Sequence, residues 1–486
     1  MRGIRYAQLR DALAPCALHE TGEGYAPVPV SERLAQAIWF DQRLKRDKLQ
    51  TADGRRVSVV SPGWWNLEAG PDFRRAVITF DDGPPQLGDV EVHLRANDWH
   101  QHGHDGDPLY NNVVLHVALW HSGSERPATT AAGRAISRLV MSDQLDAPLE
   151  RLYDEIDPAD YPYDLESHVG RCEARLRTLP AETIVALLAE AGLERLRTKA
   201  RRMTRWIQRD GVEQALYAGV MEALGYKHNK EPMRLLAERL PVARLRELPA
   251  AQAQALLLGV AGFLPEHTVA ASDAATRRHV KALWGVWWKA RDEFAEKTLA
   301  RDAWRMSGLR PANFPWRRLA AVAQLLATHW ELWPKVEAAL TAKREAQRAA
   351  RLEALFTDVE DSYWSRRYSF ASKAQPKVEQ LIGEGRARDI VINVVLPVAI
   401  AQAKLLERPA LAEAAEAIFA GYPATEPNAL ARFTAHRLFG QRPPRDIRTA
   451  ARQQGLLQIF HDFCLNDRSA CAQCRFPELV ADFAAR

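Results

Sequence analysis

Asp72 follows a proline at the head of a β-branched run, and Glu91 lies 19 positions later inside a second such run with His93 two residues beyond it. Residues two apart on a strand share a face, so Glu91 and His93 project together. If the two runs pair as a hairpin across DDGPP (81–85), Asp72 reaches the same end of the sheet. Two adjoining carboxylates repel unless a cation lies between them. A hard divalent ion such as Mg2+ or Mn2+ takes oxygen ligands of this kind. His93 then orients or deprotonates a water beside that ion. A competing reading needs no ion: Asp72 caps the turn before its strand, and Glu91 is a solvated residue opposite an apolar face of Val90 and Val92. That reading accounts for the alternation but not for His93.

His93, His100, His102, His104 and His116 fall within 24 residues, among Asp98, Asp105 and Asp107. Imidazole together with carboxylate suits Zn2+, Mn2+ or Fe2+ better than Mg2+ alone. HGHDGD (102–107) has turn chemistry that can bend its side chains toward the sheet end, which makes His104 a candidate ligand. His116 sits in the apolar run NVVLHVAL (112–119). It is either a further ligand or a hydrogen-bonded core histidine. Near the C-terminus, Cys464, Cys471 and Cys474 put three thiols within 11 residues, and the Cys471–Cys474 pair has knuckle spacing. Zn2+ or an iron–sulfur cluster takes such pairs. A fourth ligand would come from His461, Cys172 or Cys16; without a metal these thiols are small buried hydrophobes.

Basic residues offer contacts to phosphate. Arg197, Arg201 and Arg205 recur every four residues and form one cationic stripe on a predicted helix. Arg310, Arg317 and Arg318 flank a loop that Pro311 and Pro315 stiffen before a further helix. DNA or RNA is the partner these arginines suit. The alternative is a solvated face paired with acids of neighbouring helices.

These residues need elements to hold them. Ser31 can cap a helix in which Leu34, Ile38 and Trp39 share a face. Short β-branched runs follow at 57–61, 75–80, 89–94 and 112–119, separated by turn signals. The short connections between the first of them predict a mixed or antiparallel sheet. After residue 145 the pattern becomes helical, beginning with a long run over 181–209. The expected class is therefore α+β: a mixed-sheet head over 1–145, an all-α body over 146–455 and a Cys-rich segment over 456–486. The chain of 486 residues is 47% hydrophobic and 26% charged, which excludes disordered and collagenous classes. A net charge of +5 permits a local basic patch without requiring nucleic acid. The first 20 residues carry charges with no apolar core between them, so no secretory signal is expected. The most apolar stretch, 390–406, contains Asn393, Pro397, Gln402 and Lys404 and reads as a buried helix, not a membrane span. A cytoplasmic location is expected, and the odd, sparse cysteine count fits reduced thiols.

Several blocks resemble a bacterial family known as domain of unknown function 2851. They are GPDFRRAVITF (70–80), GDVEVHL (88–94), DWHQHGHDGDPLYNNVVLHV (98–117), ERLRTKA (194–200), GYKHNKEPM (225–233), LRPANFPWRRLA (309–320), INVVLPVAIA (392–401) and CLNDRSACAQC (464–474). That resemblance implies no activity. The N-terminal region is also similar to the PD-(D/E)XK nuclease superfamily, whose pattern is an Asp at a strand start and an acid-x-Lys on the next strand, after a helix that supplies a Glu. Pro71-Asp72 and Glu91-Val92-His93 match the first two parts, with His in place of Lys, and Glu32 matches the helical acid. The resemblance implies a restriction-endonuclease-like head in which Asp72 and Glu91 hold the metal, His93 handles water and Glu32 assists. Three functions are expected in order: a metal-dependent phosphodiesterase acting on DNA or RNA, a non-catalytic nucleic-acid or protein-interaction module, and a metal-dependent small-substrate hydrolase using the histidines.

Overall fold

The computed structural model describes residues 6–13, 30–122, 126–162, 169–226, 228–265, 273–306, 309–329, 331–357, 359–441, 447–465 and 474–485. The fold is α+β, and the chain forms two compact units. One comprises the described residues of Ala7–Pro180, Phe433–Pro443 and Ile459–Arg486 and contains the sheet; the other, with the described residues of Met1–Tyr6, Ala181–Arg432 and Pro444–Gln458, is helical. Residues 146–180 and the C-terminal segment thus group with the sheet, whereas a division by sequence texture puts them elsewhere.

In the sheet-bearing unit, Ser31 is extended and its hydroxyl accepts from the Leu34 amide at 3.2 Å, which starts the helix Glu32–Phe40. Leu34, Ile38 and Trp39 are buried against a sheet of six strands. These are β1 (Val57–Ser61), β2 (Trp64–Trp65), β3 (Phe73–Phe80), β4 (Gln86–Arg95), β5 (Val113–Trp120) and β6 (Ser137–Val140), in the order β1-β3-β4-β5-β6 with β2 beside β3. β1, β3 and β4 form an antiparallel meander, whereas β5 runs parallel to β4 and β6 parallel to β5. The hairpin expected across 81–85 is present; Asp81 and Asp82 turn it with positive φ of 49° and 56°, a conformation that Asp tolerates.

β4 is buried on both faces. Val90 and Val92 pack with Leu34, Ile38, Phe73, Leu115 and Val117 beneath the helix, which leaves Glu91 and His93 to the opposite face. A bulge between Phe73 and Ala76 disrupts the β3–β4 ladder, where Arg75 has φ 57° and its amide donates to Asp89 Oδ1 at 3.0 Å.

The helical unit is built around a 30-residue helix, Ala181–Asp210. Its Gly192 lies against the helix Ala450–Ile459 so closely that a Cβ would meet the Ala451 carbonyl oxygen at 1.9 Å. The apolar stretch after residue 390 is a buried helix, as expected, with a π-helical turn at Val391–Val395 leading into Leu396–Leu405. Pro397 lacks the N–H that a regular turn would use, which accounts for the widened turn before it. Among the described residues, no helix is long and apolar enough to cross a membrane.

Candidate metal centre

The parallel register sets His116 on β5 opposite Glu91 on β4, so Glu91, His93 and His116 share the face turned away from the helix Glu32–Phe40. A loop from β4 to β5 crosses that face. Its start is fixed by Asp98, whose side chain accepts from the Arg95 amide at 2.8 Å. Gly103 turns the chain with φ 74°, and Asp107 caps the next helical turn by accepting from the Leu109 amide at 2.9 Å. The two caps and the glycine turn bring His102 and His104 back over β4.

Four polar groups meet there. His93 Nε2 lies 3.1 Å from His102 Nδ1 and 3.5 Å from Glu91 Oε1, and His104 Nε2 lies 3.5 Å from the same oxygen. Ligand atoms of His93, His102 and His104 all fall within 4.8 Å of one another. A tetrahedral ion with bonds of about 2.0–2.1 Å separates its ligands by about 3.3–3.4 Å, and the observed spacings are compatible with that geometry. The donors are three imidazoles beside one carboxylate, which suits Zn2+, Mn2+ or Fe2+. Glu91 is 1% exposed and His93 0%, whereas His102 is exposed and opens the site to solvent. Among the described residues this is the one such group of histidines, cysteines and acids.

The surroundings hold the rings in place. Tyr110 stacks on His104 with centroids 3.8 Å apart, and Trp99 packs edge-on against it at 5.3 Å. His116 Nε2 lies 3.0 Å from His93 Nδ1. Burial, and then the charge of Arg138, push the His116 pKa down to about 3, so this ring is neutral. His100 takes no part: its ring nitrogens face Asp105 and the Arg126 carbonyl, each at 3.4 Å.

The acids of the nuclease pattern meet through hydrogen bonds. The Asp72 amide donates to Glu91 Oε2 at 2.9 Å, while Asp72 Oδ2 accepts from the Val92 amide and from Gln36 Nε2, both at 3.1 Å. Gln36 Nε2 also lies 3.4 Å from Glu32 Oε1. Glu32, Asp72 and Glu91 are therefore in one corner, but Asp72 is 1% exposed and clamps Glu91, whose other oxygen faces the imidazoles. Gln36, one helical turn after Glu32, is the link that pattern matching passes over, although its spacing is a visible signal. His102 is the member of the cluster that such matching undervalues; its cue is His-Gly-His in a turn.

The arginines are placed differently. Arg197 pairs with Glu416 at 3.0 Å, which raises its pKa, and Arg201 pairs with Glu194 at 3.0 Å. Arg205 is half-buried and Arg310 exposed. Arg317 is 2% exposed and donates to the Trp364 carbonyl at 3.2 Å, so it is a packing residue out of reach of a polynucleotide. Cys464 lies in a π-helical turn, Phe460–Leu465, and Cys474 is half-buried. Cys471 lies outside the described residues, as does Cys16.

Residues 32–428 match the model of a family described as protein of unknown function (DUF2851). No match was found among curated proteins or among solved structures.

Proposed function

The chain belongs to the DUF2851 family, and from that premise, which names a sequence family and not a reaction, we propose that its sheet-bearing unit is a metal-dependent hydrolase of phosphodiesters in DNA or RNA. The observation that carries this reading is the approach of the Glu91 carboxylate to two imidazole nitrogens at 3.5 Å, with a third imidazole 3.1 Å from one of them. His93, His102 and His104 would hold the ion, which would supply Lewis acidity toward a phosphoryl oxygen. Glu91 Oε1 either completes the ligand set or takes the proton of the attacking water. Asp72 is a positioning residue, because its amide and carboxylate fix Glu91 and β4. His116 is a second one, since it holds the far nitrogen of His93. The phosphodiester substrate is supported by the Glu32–Gln36–Asp72–Glu91 chain, which joins the acids of the nuclease pattern. Zn2+ or Mn2+ fits the donors better than the Mg2+ an all-oxygen site would take.

A second reading, hydrolysis of a small substrate at the same centre, is favoured by the near-complete burial of Glu91 and His93. One experiment separates them. The purified chain is supplied with Mn2+ or Zn2+ and offered linear, nicked and single-stranded nucleic acid beside a small phosphodiester, with Glu91→Gln and His102→Ala in parallel. Polynucleotide cleavage lost in both variants is the expected result. Turnover of the small ester alone selects the second reading, and cleavage surviving both substitutions removes this centre from the chemistry.

A further inference from the structure

The helical unit contains a separate cluster of guanidinium groups. Arg317 and Arg318 stand in the first turn of the helix Pro315–Thr328, where no acidic residue accompanies them. The start of a helix carries partial positive charge, so cations are unfavourably placed there. Arg318 is 6% exposed. It donates to the Leu381 carbonyl, to Asn313 Oδ1 and to the Tyr226 hydroxyl, the last at 2.9 Å. All three acceptors are neutral. Its Nε is buried and has no hydrogen-bond partner. The charges that act on Arg318 include two further cations, Arg317 and Arg386. Burial pushes its pKa down to about 10; Tyr226 pulls it upward, and Arg317 and Arg386 add smaller downward pushes.

Tyr226 lies between two of these groups, with Arg386 3.7 Å and Arg318 5.3 Å from its ring centre. It holds φ at 55°, a left-handed conformation that an aromatic residue rarely adopts, and strain of this kind gathers at ligand clamps. The turn is firmly held. A Cβ on Gly225 would meet the Asn229 carbonyl oxygen at 2.2 Å, and the Asn229 side chain exchanges hydrogen bonds of 2.9 and 2.8 Å with the Arg305 backbone. Glu379 lies 3.5 Å from Arg317 and Asp389 3.4 Å from Arg386. Arg318 has no equivalent. A buried cation without a counter-charge is unfavourable until another group supplies one.

We propose that Arg318, Arg386 and the Tyr226 hydroxyl form a binding site for a phosphoryl group in the helical unit, distinct from the histidine centre. Guanidinium forks match phosphate oxygens in pairs. The donors come from a helix start, from the turn at 226 and from the segment carrying Arg386, and three directions suit a tetrahedral oxyanion better than a planar carboxylate. Arg386, its side chain 21% exposed, is the partly exposed member and marks the side of entry.

The test is thermal unfolding of the full chain titrated with inorganic phosphate, with chloride adjusted to hold ionic strength constant. Wild type should show a saturable rise in Tm. Arg386→Gln, at the partly exposed edge, should raise the half-saturating phosphate concentration about tenfold or more, in line with the loss of a charge-assisted hydrogen bond. Lys343→Gln, on an exposed lysine of the same unit that the site does not use, should not change it. A parallel titration with a nucleoside monophosphate distinguishes sources: tighter binding than phosphate identifies the anion as part of a larger ligand, and equal binding identifies free phosphate. Should Arg386→Gln fail to fold, phosphorus NMR line widths with wild type and Tyr226→Phe give the same comparison. A wild-type Tm indifferent to phosphate at constant ionic strength, or a half-saturation equal in wild type and variant, overturns the proposal.

Discussion

His93 sits between two other imidazoles, and its two ring nitrogens cannot do the same work. With Nε2 directed at a cation, the proton resides on Nδ1 and is donated to His116, which is neutral and can accept it. His102 contributes from the exposed end of the chain of rings, so His102→Ala should remove bound metal while leaving the metal-free stability within about 0.5 kcal/mol of wild type. Metal content by mass spectrometry and urea unfolding of the apoprotein check the two halves. At an unrelated position, His279 stacks on Tyr363 at 3.9 Å, and burial pushes its pKa down to about 4. Its unfolded value is 6.5, so between pH 6.5 and 4 the unfolded chain binds the proton and the folded chain does not. Stability therefore falls as pH drops through that window, by of order 3 kcal/mol in all. His279→Phe should flatten that part of the profile, read as the urea midpoint against pH.

The residues of the candidate site were legible one at a time, and their partnerships were not. Alternation along 89–94 shows that Glu91 and His93 share a face, because a strand has a period of two. Nothing in that period says that Asp72 spends its carboxylate on the Val92 amide and Gln36, or that His116 stands one ring behind the centre. Those facts depend on register across strands. The arginine stripe shows the same limit from the other side, since the acids that take up Arg197 and Arg201 become visible only when helices pack.

At the scale of elements, caps and close approaches decide most. Ser31→Ala should cost about 1 kcal/mol by orphaning the Leu34 amide, measured by chemical unfolding. Gly192→Ala should cost more, about 2–4 kcal/mol, because its methyl group would meet backbone and not a movable side chain. The meander could be expected from the short turns joining its strands. The parallel placement of β5 and β6 could not, because hydrophobic patterning reports which face is buried and is silent on the direction of the neighbouring strand. The helix over 181–209 was legible from its apolar spacing, and the π-helical turn at 391–395 had Pro397 as its only cue.

At the scale of the molecule, occupancy of the histidine centre should be felt as stability. A cation at a hundred times its Kd adds about 2.7 kcal/mol to whatever unfolds with the site. Chelation should therefore speed hydrogen exchange in the sheet-bearing unit, at amides of β4 and β5 first. Equal exchange with and without chelator would falsify ion binding at this centre.

The parallel pairing of β4 and β5 carries one more consequence. A chain leaving the end of one strand must travel back along the sheet before it can start the next in the same direction, and residues 96–112 are that return path. His102 and His104 ride on it. An ion clasped between the path and β4 would act as a rivet across a topological detour, and the connection would then be tightest where the histidines lie. Lengthening the path with inserted glycines on either side of the histidines would then leave the strands matched but loosen the rivet, and the ion's escape rate would report how much slack the detour was given.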